Sequence, residues 1–309
     1  MLIRTQFPDL FLTSLLPALD EVIFGRYEQF PPQFSKIFRM MTSNRSIEQT
    51  SEIAGLGTFG QIAEGKNVRF DGAVPGFNKT YTHAQYGLGY KITRIMIDDD
   101  KWGLVNKLSS DLGKSARETR EIIAASIFNN GFDGTNYAGP DGKALFATDH
   151  PIVKTGETQG NTPSVATDLD LPSIELGLTT FRKMKDQSGK KIRLKPARLV
   201  VSAEQEFIAS QLMNTAKLPG NNYNDVNPIM NRSGLPSFDE LMVWDYLSDP
   251  DAWFICAEPD ETELRWYDRE KFSTVHDVDF ESRSVKTAGW MRFSVGFSSY
   301  YGVYGSPGA

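Results

Sequence analysis

Thirty residues, 101 to 130, carry a helical period without a proline. Trp102, Val105, Leu108, Leu112, Ala116, Thr119, Ile123 and Ile127 recur at steps of three and four. That spacing places them on one face of a helix. The charges Lys107, Lys114, Arg117, Glu118, Arg120 and Glu121 fall off that line. Asp98, Asp99 and Asp100 stand at the expected N-terminus, where a helix dipole is positive. Asn129-Asn130-Gly131 supplies the stop. A helix of this length runs about 45 Å. It suggests a spine along which the rest of the chain must pack.

The segment before the spine is different in kind. Residues 61–98 read as a long hairpin, with a first arm at 61–70, a turn-rich tip at 71–78 and a return arm at 79–97. Alternation near its end puts Ile95 and Ile97 on one face and Arg94 and Met96 on the other. Lys66, Asn67, Arg69, Lys79, Thr80, His83 and Gln85 make the outer part polar on both faces. A two-stranded ribbon with no apolar face is marginal alone. Ten residues of strand reach roughly 30 Å, a projection that suits overlap with a neighbouring subunit.

Residues 1–55 hold apolar clusters separated by Pro8, Pro17, Pro31 and Pro32. These prolines argue against one long helix and for an extended, jointed arm with a short amphipathic helix, lying on a neighbour. After the spine, 131–172 is loop-like. An α/β region then begins: a helix over 173–185, a strand over 197–201, and a helix over 203–213 opened by a Ser202/Gln205 capping box. A turn-rich loop follows at 217–228, then strands at 241–244 and 253–257. Strands at 264–267 and 273–280 precede the alternating Met291, Phe293, Val295 and Phe297. The order is arm, hairpin, long helix, α/β insert, and strands that return to pack on the helix. It defines an α+β chain.

Chemistry fails on context at each place where it might arise. The net charge is −6 and no basic run reaches five residues, which argues against phosphate-gripping nucleic-acid binding. Cys256 is the single cysteine, set in an apolar run, so neither an internal disulfide nor a zinc cluster is expected. No apolar run is long enough to span a membrane. Gly55-Leu56-Gly57-Thr58-Phe59-Gly60 matches a dinucleotide fingerprint, but no hydrophobic strand precedes it and no helix is expected after it. Gly113-Lys114-Ser115 lies inside the spine and lacks the upstream glycine of a phosphate loop. His83, His150 and His276 have no second ligand at metal spacing and no GxSxG serine to activate. They are read as loop or turn histidines. Asp277 and Asp279 are read as a solvated strand face. No catalytic, cofactor or metal residue is therefore expected.

One resemblance covers nearly the whole chain. Gly142-Lys143-Ala144-Leu145-Phe146-Ala147-Thr148-Asp149-His150-Pro151, the 219–228 segment Pro-Gly-Asn-Asn-Tyr-Asn-Asp-Val-Asn-Pro, Asp249-Pro250-Asp251-Ala252-Trp253-Phe254 and the ending from Val285 to Phe297 occur in order. In these the chain resembles the Hong Kong 97-type major capsid proteins of tailed phages, especially the Mu-type major head subunit branch. The resemblance implies an N-terminal arm (1–55), an extended loop (56–97), a peripheral domain with the spine helix (98–149), an axial domain (150–260) and C-terminal strands completing the peripheral domain (261–309). It implies loop-tip contacts at Phe70, Asp71, Val74, Pro75, Phe77 and Lys79. It also implies axial contacts at Pro219, Asn221, Tyr223 and Asp225, and a spine core face at Trp102, Val105, Leu108, Leu112, Ile123 and Ile127. The function implied is self-assembly through homo-pentamers and homo-hexamers into an icosahedral shell around double-stranded DNA. The subunit would occupy the virion capsid, and the bacterial cytoplasm before assembly, with scaffold, portal and decoration proteins as partners. Two alternatives stay open at this point: an encapsulin-type compartment with the same fold, and a hydrolase built on His150 or His276.

Overall fold

The long helix forms close to where its period places it, as α3 over Leu104–Asn129. The computed structural model describes residues 7–99, 103–217, 227–230, 238–279, 281 and 284–309. Along α3 the interior residues are Val105, Ser109, Leu112, Gly113, Ala116, Arg120, Glu121, Ala124, Ala125 and Phe128. Val105 and Leu112 thus lie on the buried line as expected. Leu108, Ile123 and Ile127 are half-buried at its margin, and Trp102 lies outside the described residues. The correction concerns Arg120 and Glu121, expected on the solvent side and found inside. The helix is covered by a second helix as well as by a sheet, so its buried arc is wider than one apolar stripe.

That second helix, α1, runs unbroken over Phe7–Glu28 through Pro17. This corrects the expected jointed arm. A mid-helix proline loses one backbone hydrogen bond. The loss is offset by tertiary burial: Leu19 and Ile23 are inside, packed with Val105, Leu112 and Ala116 of α3. At the crossing, a Cβ on Gly113 would stand 2.2 Å from the Ile23 carbonyl oxygen. Only glycine permits this approach. The Gly-Lys-Ser tripeptide is a packing feature, and this part of the arm rests on its own chain.

A single 3-10 turn, Phe34–Lys36, leads to β1, Arg39–Thr42. Strand β1 runs parallel to β10 (Leu264–Asp279), which pairs antiparallel with β11 (Ser284–Phe297). Strand β4 (Ala84–Thr93) closes the sheet on the other edge of β11. The two short strands expected at 264–267 and 273–280 are one strand, irregular between Asp268 and Ser273. The return arm expected to reach residue 97 stops at Thr93. Its hydroxyl accepts from Met96 N at 3.3 Å and caps a one-turn helix, α2, Arg94–Asp98.

The ribbon itself pairs β2 (Ile47–Ala54) with β3 (Val74–Thr82), from Ile47 opposite Thr82 to Ala54 opposite Val74. The expected first arm, 61–70, is corrected to 47–54. Residues 55–73 form the connection between the strands. Glycines at 55, 57, 60 and 65 interrupt any strand there, whereas 47–54 carries the β-branched Ile47, Thr50 and Ile53.

The α/β part forms a second sheet in the order β12, β9, β7, β8. These strands are Val303–Ser306, Trp253–Ala257, Pro196–Val201 and Glu240–Val243. A short pair, β5 (His150–Pro151) and β6 (Thr158–Gln159), precedes it. The expected return of every C-terminal strand to the spine is corrected, because β12 joins this sheet beside β9. Helices α4 (Leu171–Lys183) and α5 (Glu206–Asn214) accompany the sheet. Ile174, Phe181, Leu199, Val201, Trp253 and Ile255 share a core on one face. Val200, Phe254 and Cys256 point the other way, into the core around Phe128 of α3. Period-two alternation in β9, fully buried, and β7, buried but for Arg198, therefore joins the sheet to the spine. The expected capping box does not form. Ser202 Oγ donates to the Pro250 carbonyl at 2.7 Å and Gln205 Nε2 to the Asp251 carbonyl at 2.7 Å.

Candidate functional site

The ribbon's connection, 55–73, is gripped at its neck. Lys154 Nζ donates to Gly55 O at 2.9 Å, Asp71 Oδ2 at 2.7 Å and Gly72 O at 3.2 Å. Gly57 N donates to the same Asp71 oxygen at 2.7 Å. The Lys154 hydrogen bond, with help from Gly57, holds the Asp71 carboxyl down to about 2. The neck closes a loop that carries Leu56, Phe59, Ile62, Val68 and Phe70, all exposed; Phe59 is fully so and Phe70 is 93% exposed. Scattered surface apolar residues are ordinary, but here five exposed ones lie on one tethered loop.

The expected loop-tip residues divide. Phe70 and Asp71 lie in the connection. Val74 and Pro75 lie at the start of β3, opposite Ala54 and Ile53. Phe77 and Lys79 are half-buried and face the body, with Lys79 Nζ 5.4 Å above the Phe297 ring. Burial pulls the Lys79 ammonium below its ordinary range. Sequence reasoning missed Leu56, Phe59, Ile62 and Val68. Their signal was available as large apolar residues in a Gly-rich stretch that has neither helical nor strand period.

The spine is anchored through the two charges that its period misplaces. Arg120 Nη2 donates to both Asp268 oxygens, at 2.8 and 2.9 Å, and Nη1 donates to Tyr27 OH at 2.7 Å. The guanidinium lies 4.9 Å from the Trp266 ring and 5.2 Å from Phe34. Glu121 accepts from Gln33 N at 2.7 Å, Phe34 N at 3.3 Å and Trp244 Nε1 at 3.1 Å. Burial pushes its carboxyl up despite these donors. Together they fasten the α1–β1 connection and the second sheet to one turn of α3.

The expected axial contacts Pro219, Asn221, Tyr223 and Asp225 lie outside the described residues. Asn227, the first described residue after them, is firmly held. Its Nδ2 donates to the carbonyls of Leu212 at 2.6 Å and Thr215 at 2.9 Å, and its Oδ1 accepts from Ile229 N at 2.9 Å.

His150 and His276 lie in strands β5 and β10 and not in loops, whereas His83 stands in the connection between β3 and β4, as expected of a loop histidine. His150 is fully buried, stacked 3.8 Å from the Tyr300 ring, with Nδ1 2.6 Å from Asp141 Oδ2 and Nε2 3.2 Å from Asn161 Oδ1. His276 bridges Thr287 and Asp20, each at 2.9 Å, and so ties β10 to α1. His83 sits between Ser43 and Ser294, and burial lowers its pKa. Cys256 is wholly buried and its thiol is pushed up to about 12, far from a nucleophile's range. Among the described residues no group of three His, Cys, Asp or Glu could hold a metal ion, and no helix is long and apolar enough to cross a membrane.

Comparison with known proteins agrees with this geometry. A family model described as phage capsid protein matches residues 78–306, about three quarters of the chain. The Mu-like prophage FluMu major head subunit of Haemophilus influenzae is 26% identical over 122 residues. That match covers 40% of this chain and 38% of the relative, so little more than a third of the curated relative is spanned. The mature capsid of bacteriophage PhiM1 superposes with a TM-score of 0.56 at 10% identity, over 89% of this chain and 86% of that one. The capsid of bacteriophage JBD30 decorated with minor capsid protein trimers gives 0.53 at 14% identity, over 70% and 91%. At these identities the superpositions establish the fold, which is α+β and Hong Kong 97-like.

Proposed function

The chain belongs to the phage capsid protein family, and from that membership we propose that it is the major shell subunit of a tailed phage, a structural protein that self-assembles into pentamers and hexamers of an icosahedral shell around DNA. The observation that carries this reading is the gripped loop 55–73, with its exposed Leu56, Phe59, Ile62, Val68 and Phe70. A free monomer gains nothing from such a loop. A lattice subunit gains a contact with each neighbour.

In this reading the domains take the following parts. The ribbon β2–β3 and its connection act as the extended loop that overlaps the next copy. Helix α3 with the sheet β1-β10-β11-β4 forms the peripheral domain. The sheet β12-β9-β7-β8 with α4 and α5 forms the axial domain, whose 218–226 loop meets its symmetry mates. Subunits repeated around an axis make heterologous contacts that close into rings. Interfaces of this obligate kind bury about 2,000–5,000 Å². The net charge of −6 fits a wall that encloses DNA without gripping it. Scaffold and portal proteins are further partners, and decoration proteins are proposed by analogy with the decorated capsid above.

Negative-stain images of the purified chain test the reading. Closed shells or capsomer rings are expected. A chain that stays monomeric at every concentration overturns it.

A further inference from the structure

The chain's charge of −6 hides a local excess of the opposite sign. Eight of its 33 lysines and arginines fall within residues 182–198, against a single acid, Asp186. The segment starts in the last turn of α4, which carries Arg182 and Lys183. It then doubles back as a hairpin. Ile192 N donates to Met184 O at 2.9 Å and Asp186 N to Lys190 O at 2.7 Å, and Lys185 stands opposite Lys191 in an antiparallel bridge. Asp186 is engaged in the turn itself, where its Oδ1 accepts from Ser188 N, Ser188 Oγ and Lys190 N.

Packing sorts the side chains of this hairpin. Ile192 and Leu194 pack against the buried cluster of Met184, Tyr300 and Tyr301. Lys191, Arg193 and Lys195 alternate with them and are exposed. Alternate residues of an extended segment stand about 6.6 Å apart, so one edge presents a regular row of cations. Lys185 and Lys195 have anions, Glu157 at 2.6 Å and Asp239 at 2.8 Å. The exposed Arg182, Lys183, Lys191 and Arg193, and the half-buried Lys190, have no ion-pair partner among the described residues. Like charges facing each other across a strand pair are destabilising, and the fold leaves this cluster uncompensated.

The kind of anion follows from what the patch lacks. No exposed aromatic or large apolar side chain lies within 182–195. Protein interfaces are depleted in lysine and are anchored by aromatic or apolar residues. Contacts to a nucleic-acid backbone are made by Lys and Arg without such anchors, and they carry no sequence information. We propose that the 182–195 hairpin is a sequence-independent contact for the phosphates of double-stranded DNA, made by Arg182, Lys183, Lys191 and Arg193. The choice of DNA as ligand rests on the reading of the chain as a wall around DNA; the unpaired cations do not. The remainder of the chain is acidic, so the contact is local and the wall as a whole does not grip its contents.

Fluorescence anisotropy of a short labelled duplex, titrated with the full chain below its assembly concentration, tests the contact. Four neutralised phosphates give a slope of about −3.6 in log affinity against log salt, a fall of about 150-fold between roughly 50 and 200 mM salt. Duplexes of unrelated sequence should bind alike. A chain carrying Lys183→Gln, Lys191→Gln and Arg193→Gln should flatten the slope to about −1, with unchanged circular dichroism because all three side chains are exposed. No binding at low salt, or a triple variant with the natural slope, overturns the proposal. Negative-stain images of the same preparations keep the two claims apart. Shells without DNA binding overturn this contact alone, whereas the predicted binding without shells supports the contact and overturns the shell reading.

Discussion

Arg120 on α3 and Asp268 on β10 are joined by two hydrogen bonds, 2.8 and 2.9 Å, with both side chains at least 86% buried. Trp266 Nε1 donates to the same carboxylate at 2.8 Å. A buried ion pair contributes little net stability relative to apolar residues of equal size, but a single buried charge left behind is costly. Asp268→Leu should therefore lower unfolding stability by about 3–5 kcal/mol. Adding Arg120→Met should recover part of that loss. Urea unfolding of the natural chain, both single variants and the double variant checks this. A double variant no more stable than Asp268→Leu contradicts it.

Glu121 closes the start of the 3-10 turn by accepting from two backbone amides and from Trp244. Glu121→Ala should leave two buried donors, Phe34 N and Trp244 Nε1, and the part-buried Gln33 N unpaired, at about 1–3 kcal/mol for each buried unsatisfied group. The loss should loosen the link between residues 29–38 and the spine. Raised amide exchange in that segment, with a red-shifted Trp emission, is the expected result. Glu121→Gln keeps acceptor capacity and should be milder.

Gly113 meets the Ile23 carbonyl at a distance that no side chain tolerates. Gly113→Val should displace α1 while α3 stays helical, since valine is no worse than glycine for helix propensity. Limited proteolysis within residues 1–28, with little change in far-UV circular dichroism, is the expected outcome. An α1 as resistant as in the natural chain would sink this account of the crossing.

The fold was legible in the sequence where one physical signal dominates. Helix α3 follows its 3.6-residue period, and β9 and β11 follow apolar runs and alternation. The failures have particular causes. Pro17 discourages a helix locally, yet burial of Leu19 and Ile23 against α3 overrides one lost hydrogen bond. Arg120 and Glu121 look solvent-facing by charge, and their interior partners Asp268, Gln33 and Trp244 are remote in sequence. The ribbon register slipped because 61–70 and 47–54 are both polar, and a polar strand carries no face to fix it. The position of Phe70 and Asp71 in the connection between the ribbon strands was legible in the turn-rich sequence. Phe59 was hidden because an unpartnered apolar residue has no periodicity to betray it.

The central claim is that the gripped loop joins subunits. Replacing residues 56–70 by a short Gly-Ser turn keeps Asp71, the Lys154 grip and every strand of the ribbon. The account predicts a folded subunit with unchanged circular dichroism that forms no closed shells in negative-stain images, under conditions where the natural chain does. Intact shells from the loop-shortened chain would contradict it.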